Sequence, residues 1–545
     1  HTSNWRGFCF KKNKISILNR KKISFLVLII ITISTTFSQK KISCKVVDAS
    51  SGAPIVYATV MLKNINRGTH ADLNGNFEIP IEQKNKGIIR ISSIGYKTKE
   101  VKLSQLKTNS INVIYLSIAN NQLNEIVIKS SKKKKRQLLG IQIVKQAIQN
   151  ITENYPTEPH SYIGYYRDYQ QPVGDSYQKN RQSKEEIKYL NVHEAIIESF
   201  DDGFDSDKLE SKKNQSLLYN YRTNNQFIQD PSLTVPYDNE KRKYSESVYI
   251  TPLGGNELNI LNLTNTIRNH DKMSFSFSNV FEKDFVKNHK FKVKQVIFSD
   301  TTPIYEVSFS SIMETTNYDY AAFGTIYISK QDFAIHKLNY NLYYNNKKNP
   351  QYSVTIEYIP KKDKMYLNYI TFNNFFEAYS GEYFKLIKTY YNPKQQSFEM
   401  HFNRLVALNS IHKRNFKIYY KNKRLKVLDI IPIEGSSRVF NVVIDEKSFD
   451  DIILKKENVN LIYSPYLKFD ITNIKDLNGF EINKRPSLKI NQYREFFVQE
   501  TFEQKELPIQ QNFIDKNAPL SKSLITPLEL ENNYWLNTPL KSSKN

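Results

Sequence analysis

The chain has 545 residues, a formal charge of +24 and a pI near 9.4, and 39% of its residues are hydrophobic. That is room for three or four domains of about 150 residues, and it excludes wholesale disorder. The 36 Tyr and 32 Phe, against two Trp and five Met, favour sheet surfaces on which rings pack across strands.

The first segment, residues 1–38, is read as upstream residues followed by a secretory signal peptide. Lys21 and Lys22 introduce an apolar run, Ile23 to Ile33, which is shorter than the ~20 residues of a spanning helix. Small residues at Thr36 and Ser38 set cleavage near Ser38-Gln39, and His1 to Asn19 read as upstream read-through. A lipoprotein signal would need a Cys directly after the apolar run. Cys44 lies further on inside a strand pattern, so no lipid anchor is expected. Loss of Cys9 with the signal leaves one thiol and no intramolecular disulfide.

The overall charge on its own suits nucleic acid, an anionic membrane or an acidic polymer. Seven basic residues, Arg6, Lys11, Lys12, Lys14, Arg20, Lys21 and Lys22, precede the expected cut, and their loss lowers the formal charge from +24 to +17. The rest are scattered through Asn- and Tyr-rich strands, as on an ordinary solvated surface. Export makes a nucleic-acid partner unexpected; the periplasm or outer membrane of a Gram-negative bacterium is the expected location.

Residues 39–130 read as a small antiparallel sandwich. Lys45-Val46-Val47-Asp48 leads into a Ser51-Gly52-Ala53-Pro54 turn and the alternating run Ile55 to Leu62. Tight turns follow at Arg67-Gly68-Thr69 and Asp72-Leu73-Asn74-Gly75. Gly68 and Gly75 are expected at φ > 0, with Asp72 and Asn74 bonding the turn backbone. Phe77-Glu78-Ile79, Ile88 to Ile91, Ile111 to Ile118 and Leu123 to Lys129 are the later strand candidates.

Val47-Asp48, Gly52, Pro54, Ala58-Thr59-Val60, Gly68-Thr69, Asp72, Gly75-Asn76-Phe77 and Gly95-Tyr96 together resemble the carboxypeptidase-regulatory-like domain, a transthyretin-like β-sandwich. Cys44 stands where that family usually has Gly, and a partly buried thiol is expected there. Similar domains precede the plug of many TonB-dependent outer-membrane receptors, and Leu123 to Ile128 resembles the segment with which those receptors engage their energising partner. It is read here as the last strand of the sandwich, because the roughly 415 residues that follow are too few for a 22-strand barrel with its plug.

Residues 131–137 form a basic linker. Lys132, Lys133, Lys134, Lys135 and Arg136 suit either a solvated hinge or peripheral contact with an anionic membrane surface, to which each nearby cation adds about 1 kcal/mol.

Residues 138–290 are read as a helix plus a mixed, loop-rich region. Ile141, Val144, Ala147-Ile148 and Ile151 recur at helical spacing and stop at Asn154-Tyr155-Pro156. With Gly164-Tyr165-Tyr166-Arg167-Asp168 they resemble a second signature of envelope proteins that carry the same N-terminal domain. Asp201, Asp202, Asp205, Asp207 and Glu210 invite a calcium reading, but their spacing fits no calcium loop, so a solvated loop is expected.

Residues 291–545 are read as an antiparallel β-rich domain with a loop-rich tail. Period-2 runs from Phe291 to Phe402 predict a meander with one buried face. They resemble the curved sheets of lipoprotein-carrier folds, which wrap a helix and an apolar cavity. Phe440 to Ile444 and Arg494 to Val498 add strands, and Tyr534-Trp535 is expected to pack back onto the meander.

None of the nine His is followed by Glu at the third position, so a zinc carboxypeptidase pair is absent. Gly-x-Ser-x-Gly and phosphate-binding loops are absent too, and adjacent His193 and Glu194 would face opposite sides of a strand. The fold class is therefore mainly β: a carboxypeptidase-regulatory-like sandwich plus a large antiparallel meander with few helices. The expected function is an exported, non-enzymatic envelope protein that binds an envelope protein or a lipid or other apolar ligand. No catalytic residue, metal or cofactor is assigned. The alternatives are an outer-membrane transport component related to TonB-dependent systems, and a hydrolase dependent on His193 or Asp168.

Overall fold

The computed structural model describes residues 41–538, except 66, 82–86, 120–137, 174–191, 225–241, 244–248, 251–257, 272–284, 313–318, 345–348, 380–382, 446–458, 485–486, 510 and 528–533. The expected signal peptide, the segment Leu123 to Ile128 and the Lys132 to Arg136 run lie outside the described residues.

Among the described residues seven short strands build the sandwich: β1 (Lys41–Asp48), β2 (Thr59–Leu62), β3 (Arg67–His70), β4 (Asn76–Pro80), β5 (Ile88–Ser92), β6 (Lys99–Lys102) and β7 (Asn112–Leu116). They form two sheets, ordered β4-β1-β7 and β3-β2-β5-β6. Alternation along β1 turns Ile42, Cys44 and Val46 inward, where they meet Val60, Phe77, Ile89 and Ile114. β7 runs parallel to β1, with Cys44 opposite Asn112, so the sandwich is not wholly antiparallel as expected.

Gly75 has φ +77°, and the amides of Asn74 and Asn76 donate to Asp72 Oδ1 at 2.8 and 2.7 Å, so that turn forms as read. Gly68 differs: it lies within β3, and a Cβ there would stand 2.3 Å from Met61 Sδ and 2.7 Å from Val60 O. Its glycine answers close packing, not turn geometry. Cys44 is 1% exposed, so its thiol is fully buried rather than partly.

The remaining elements are α1 (Gly140–Gln149), α2 (Ile151–Asn154), β8 (His160–Val173), β9 (Val192–Asp201), β10 (Ser216–Thr223), β11 (Arg242–Lys243), β12 (Tyr249–Ile250), α3 (Leu258–Thr264), α4 (Phe285–Asn288), β13 (His289–Ser299), β14 (Thr302–Ser311), β15 (Tyr320–Ser329), β16 (Ile335–Tyr344), β17 (Tyr352–Lys361), β18 (Lys364–Tyr379), β19 (Leu386–Asn392), β20 (Ser397–Phe402), β21 (Phe416–Tyr420), β22 (Lys423–Leu425), β23 (Val427–Pro432), β24 (Val439–Ile444), β25 (Leu467–Ile471) and β26 (Ser487–Phe502).

One antiparallel sheet of ten strands dominates, in the order β10-β9-β8-β26-β18-β17-β16-β15-β14-β13. The sixfold meander β13 to β18 is the repetitive pattern of the sequence. However, β26 returns from far along the chain to pair between β8 and β18. Strands from both sides of residue 290 therefore share this sheet, and the division read there does not separate two sheets. The meander also ends at Tyr379. Strands β19 to β25 leave it and form two sheets of their own, β19-β20-β24-β23 and β22-β21-β25, around Phe398, Met400, Phe416, Ile418, Phe440 and Val442.

One face of the large sheet is covered by helices. Ile143, Val144 and Ala147 of α1 and Ile260 and Leu261 of α3 share a core with Ile326, Leu338, Val354, Ile356, Phe372 and Phe496. Each such Ile, Val, Leu or Phe side chain contributes roughly 1.5–3 kcal/mol of burial. Gln142 Oε1 accepts from Leu139 N–H at 2.9 Å and starts α1; Tyr155, just past α2, donates to Ile335 O at 2.7 Å and ties the helical segment to β16. Two spaces of about 20 Å³ lie beside α3, room for about a water molecule each. Among the described residues, this side is filled by the chain's own helices. Phe497 follows Phe496 on β26 and faces the other way, toward the sandwich, in a cluster with Tyr57, Tyr165, Ile196 and Tyr369.

Candidate functional site

The strand period that turns Phe497 toward the sandwich also turns Tyr165, Arg167 and Tyr169 of β8, Glu194 and Glu198 of β9 and Glu495 of β26 to that side. Glu495 accepts from Tyr57 Oη at 2.8 Å, from Tyr169 Oη at 3.2 Å and from Arg167 Nε. The Arg167 guanidinium lies 5.3–5.9 Å from the Tyr165, Tyr169 and Phe497 rings. Both charged groups are almost wholly buried, and burial at that depth is sustained only by such complete pairing.

Glu194 accepts from Arg222 Nε at 2.8 Å, Asn224 Nδ2 at 3.0 Å, Tyr165 and Thr538. Burial alone would push its carboxyl upward, but the Arg222 charge and the hydrogen bonds hold it below the usual range. His70 Nε2 lies 3.0 Å from Asn368 Oδ1, and Asn368 Nδ2 donates to Thr59 Oγ1 and Glu357 Oε1. Burial drives the imidazole down to about 4, so it is neutral at pH 7. This layer joins sandwich to sheet and spends its ionisable groups on one another.

A cleft opens at the edge of the layer, where Phe200-Asp201-Asp202 at the end of β9 meets the chain leaving β26 at Lys505 to Ile509. Its volume is about 320 Å³. Phe200, Leu507, Pro508 and Ile509 line it with apolar surface, and Ile509 is 87% exposed. Lys505 donates to buried Glu198 at 2.7 Å and lies over the Phe200 and Phe502 rings. Lys213 pairs with Asp202 at 3.2 Å.

Asp201 anchors the floor of the cleft, 4% exposed, with Lys208 Nζ at 3.0 Å and Arg268 Nη2 at 3.0 Å. Burial opposes its ionisation, yet those two cations hold the carboxyl well below the carboxylate range. Exposed Glu506 apart, the charges of the cleft are thus paired, and it offers a ligand an apolar shelf with one carboxylate at its side.

The acidic run singled out in the sequence does not form a solvated loop throughout. Asp201 is a buried ion-pair centre, and Asp207 Oδ1 accepts from the Leu209 and Glu210 amides; only Asp205 and Glu210 are exposed. Among the described residues no three His, Cys, Asp or Glu are grouped to hold a metal. His193 and Asp168 are brought opposite each other across β9 and β8. Asp168 is buried, 3.4 Å from Arg494 Nε and bonded by Gln492, while His193 Nδ1 lies 2.9 Å from Tyr221 Oη. Burial pushes Asp168 up and His193 down.

Trp535 does not pack onto the meander as expected; it joins the sandwich core, 5% exposed. The Glu495 network escaped the sequence reading, although a signal was present: two adjacent opposite charges, Arg494-Glu495, stand beside the apolar run Phe496-Phe497-Val498.

Residues 42–128 match the CarboxypepD_reg-like domain, so the chain carries that domain at its sandwich. A TonB-dependent receptor P3 of Formosa agariphila is 29% identical over 108 residues, 20% of this chain and 10% of that receptor, so the match spans about a tenth of the relative's length. Among solved structures, a LolA superfamily protein from Nitrosomonas europaea is 10% identical, covering 44% of this chain and 86% of its own, at a TM-score of 0.17. A putative outer membrane lipoprotein-sorting protein domain from Vibrio parahaemolyticus is 11% identical, covering 43% and 85%, at 0.18. At such TM-scores these likenesses carry no functional argument. No helix among the described residues is long and apolar enough to cross a membrane, which says nothing of β-barrels.

Proposed function

We propose that this chain is an exported, non-enzymatic protein of a bacterial cell envelope that binds a partner protein through the cleft at Phe200 and Lys505 to Ile509. One observation carries the reading. An apolar shelf of Leu507, Pro508 and Ile509 stands open at the sheet edge beside buried Phe200, while Lys505, Lys213, Asp201 and Asp202 around it are paired internally and Glu506 is exposed. Such a surface favours a segment that buries apolar side chains. An apolar small ligand is the narrower form of the same reading, and the filled helical face of the sheet speaks for a protein segment over a deeply held lipid. The CarboxypepD_reg-like domain and the 108-residue receptor match support an envelope setting.

The test is a photo-reactive side chain at position 509, compared with one at exposed Gln395 on the separate β19–β25 module, in cells that make the protein. A discrete adduct at 509 alone, lost in Leu507→Asp, is the expected result. Equal labelling at both positions, with no lipid extracted from the purified chain, would remove this reading. A second reading, a component of TonB-dependent transport, rests on the receptor match alone. Release from membranes by high salt without detergent would count against a membrane-inserted form of it.

A further inference from the structure

The seam where β3 and β4 cross from one sandwich sheet to the other is filled by the far end of the chain. β3 is the outer strand of the four-stranded sheet and β4 of the three-stranded sheet. The Glu78 amide on β4 donates to Asn537 Oδ1 at 2.9 Å, and Asn537 Nδ2 donates to the His70 carbonyl on β3 at 2.8 Å. One side-chain amide thus pairs with both strand edges, as a peptide group of an added strand would.

The neighbouring residues fit the same groove. Lys41 Nζ donates to the Leu536 carbonyl at 3.3 Å, and Gln499 Nε2 to that of Trp535 at 2.8 Å. The Trp535 ring enters the core that holds Val46, Phe77 and Ile79. Tyr534 bonds Glu500 beneath the Arg67 guanidinium, 4.5 Å from its ring, and Thr538 bonds Glu194. The fit has a flaw: among the described residues the buried Trp535 Nε1 meets no acceptor, and an unmade bond of that kind weakens the seat of the segment.

We propose that this seam is a peptide-binding site of the sandwich. It recognises an aromatic residue followed two positions later by Asn, and residues 534–538 are its ligand in cis. The site is distinct from the cleft at Phe200 and stands or falls separately from it. A partner peptide of the same pattern competes for it, because the aromatic pocket, the two edge contacts of Asn537 and the flanking Tyr534 and Thr538 bonds can all be supplied by a short segment of another chain.

The probe is a fluorescein-labelled peptide, Tyr-Trp-Leu-Asn-Thr, titrated into the full-length chain with anisotropy as the readout. Asn537→Ala weakens the cis segment and is expected to bind the peptide about ten-fold more tightly than the parent, the worth of roughly one well-made hydrogen bond. A peptide with Ala in place of Asn should bind each protein about ten-fold more weakly than the Asn peptide. If Asn537→Ala fails to fold, Tyr534→Phe, which removes only the bond to Glu500, must show a gain of the same sign. A concentration-dependent dimer that the peptide dissolves would support the same site, filled from a second copy. Equal peptide binding by parent and variant, or none by a variant that circular dichroism shows folded, would overturn the proposal.

Discussion

Tyr57 of the sandwich donates its hydroxyl hydrogen to Glu495 of the sheet across 2.8 Å, joining residues 438 positions apart. Arg67 pairs with Glu500 at 2.8 Å, and the Thr98 amide and hydroxyl bond Asp300 at the β13–β14 turn. The Gly95 amide donates to the Phe298 carbonyl at 3.2 Å beside it. The CarboxypepD_reg-like domain is thus fixed to the sheet as a layer at two separate places.

Glu495→Gln should cost roughly 3–5 kcal/mol of stability, because it leaves the Arg167 charge buried without its counter-ion. Urea unfolding measures this. Adding Arg167→Met to Glu495→Gln should recover part of the loss, since the double change removes both charges. A single variant that loses less than about 1 kcal/mol would mean that water reaches the pair.

The parts of the fold legible in the sequence are those set by local patterning. Asp72 and Gly75 gave a turn because their chemistry is local, and the 3.6-residue spacing of Val144, Ala147 and Ile151 gave a helix. Long-range pairing was not legible. Nothing near Ser487 indicates that β26 inserts between β8 and β18, and nothing near Trp535 indicates which core it enters. Asp201 was visible as an acid but not as a buried one, because its cation Arg268 stands 67 residues away. The polar breaks at Ser380-Gly381-Glu382 and Asn392-Pro393-Lys394 read like the other turns of the meander, so they could not mark where the chain leaves the sheet.

Stability should fall as pH drops below neutrality. The folded value of His70 is about 4, beneath the ordinary 6.5, so between these values the unfolded chain takes up a proton that the native one refuses. The His70 contribution is fully present above pH 6.5 and is lost by about pH 4, a change of about 3 kcal/mol. His289 acts in the same direction, again about 4 through burial. Unfolding free energies measured at pH 7.5, 6 and 5 should decline, and His70→Gln should flatten part of the slope. A profile unchanged by His70→Gln would refute the assignment.

Cys44 should resist thiol reagents in the native state. Burial pushes its thiol up to about 12, and its side chain lies between the sandwich sheets; the thiolate is the reactive form. In a Cys9→Ser background, dithionitrobenzoate should release no thiol absorbance on the timescale of minutes until denaturant is added, and one equivalent afterwards. Prompt native reaction would mean that the sandwich opens locally.

Asp201 should behave as an ion-pair centre and not as a metal ligand. Its carboxylate already meets Lys208 and Arg268, and Arg268 also donates to the Gly203 and Ser206 carbonyls. A divalent cation would have to displace both positive groups from a buried site, which the remaining oxygens do not compensate. Calcium or a chelator should therefore leave the melting temperature unchanged. Asp201→Asn, by contrast, leaves two cations facing each other and should lose roughly 3–5 kcal/mol. Because the folded carboxyl titrates below its unfolded value, the stabilisation from Asp201 is complete above about pH 4 and disappears as acid protonates it. The parent should therefore lose more stability than Asp201→Asn between pH 4 and 2. A calcium-dependent rise in melting temperature that Asp201→Asn abolishes would instead place a metal on this floor of the cleft.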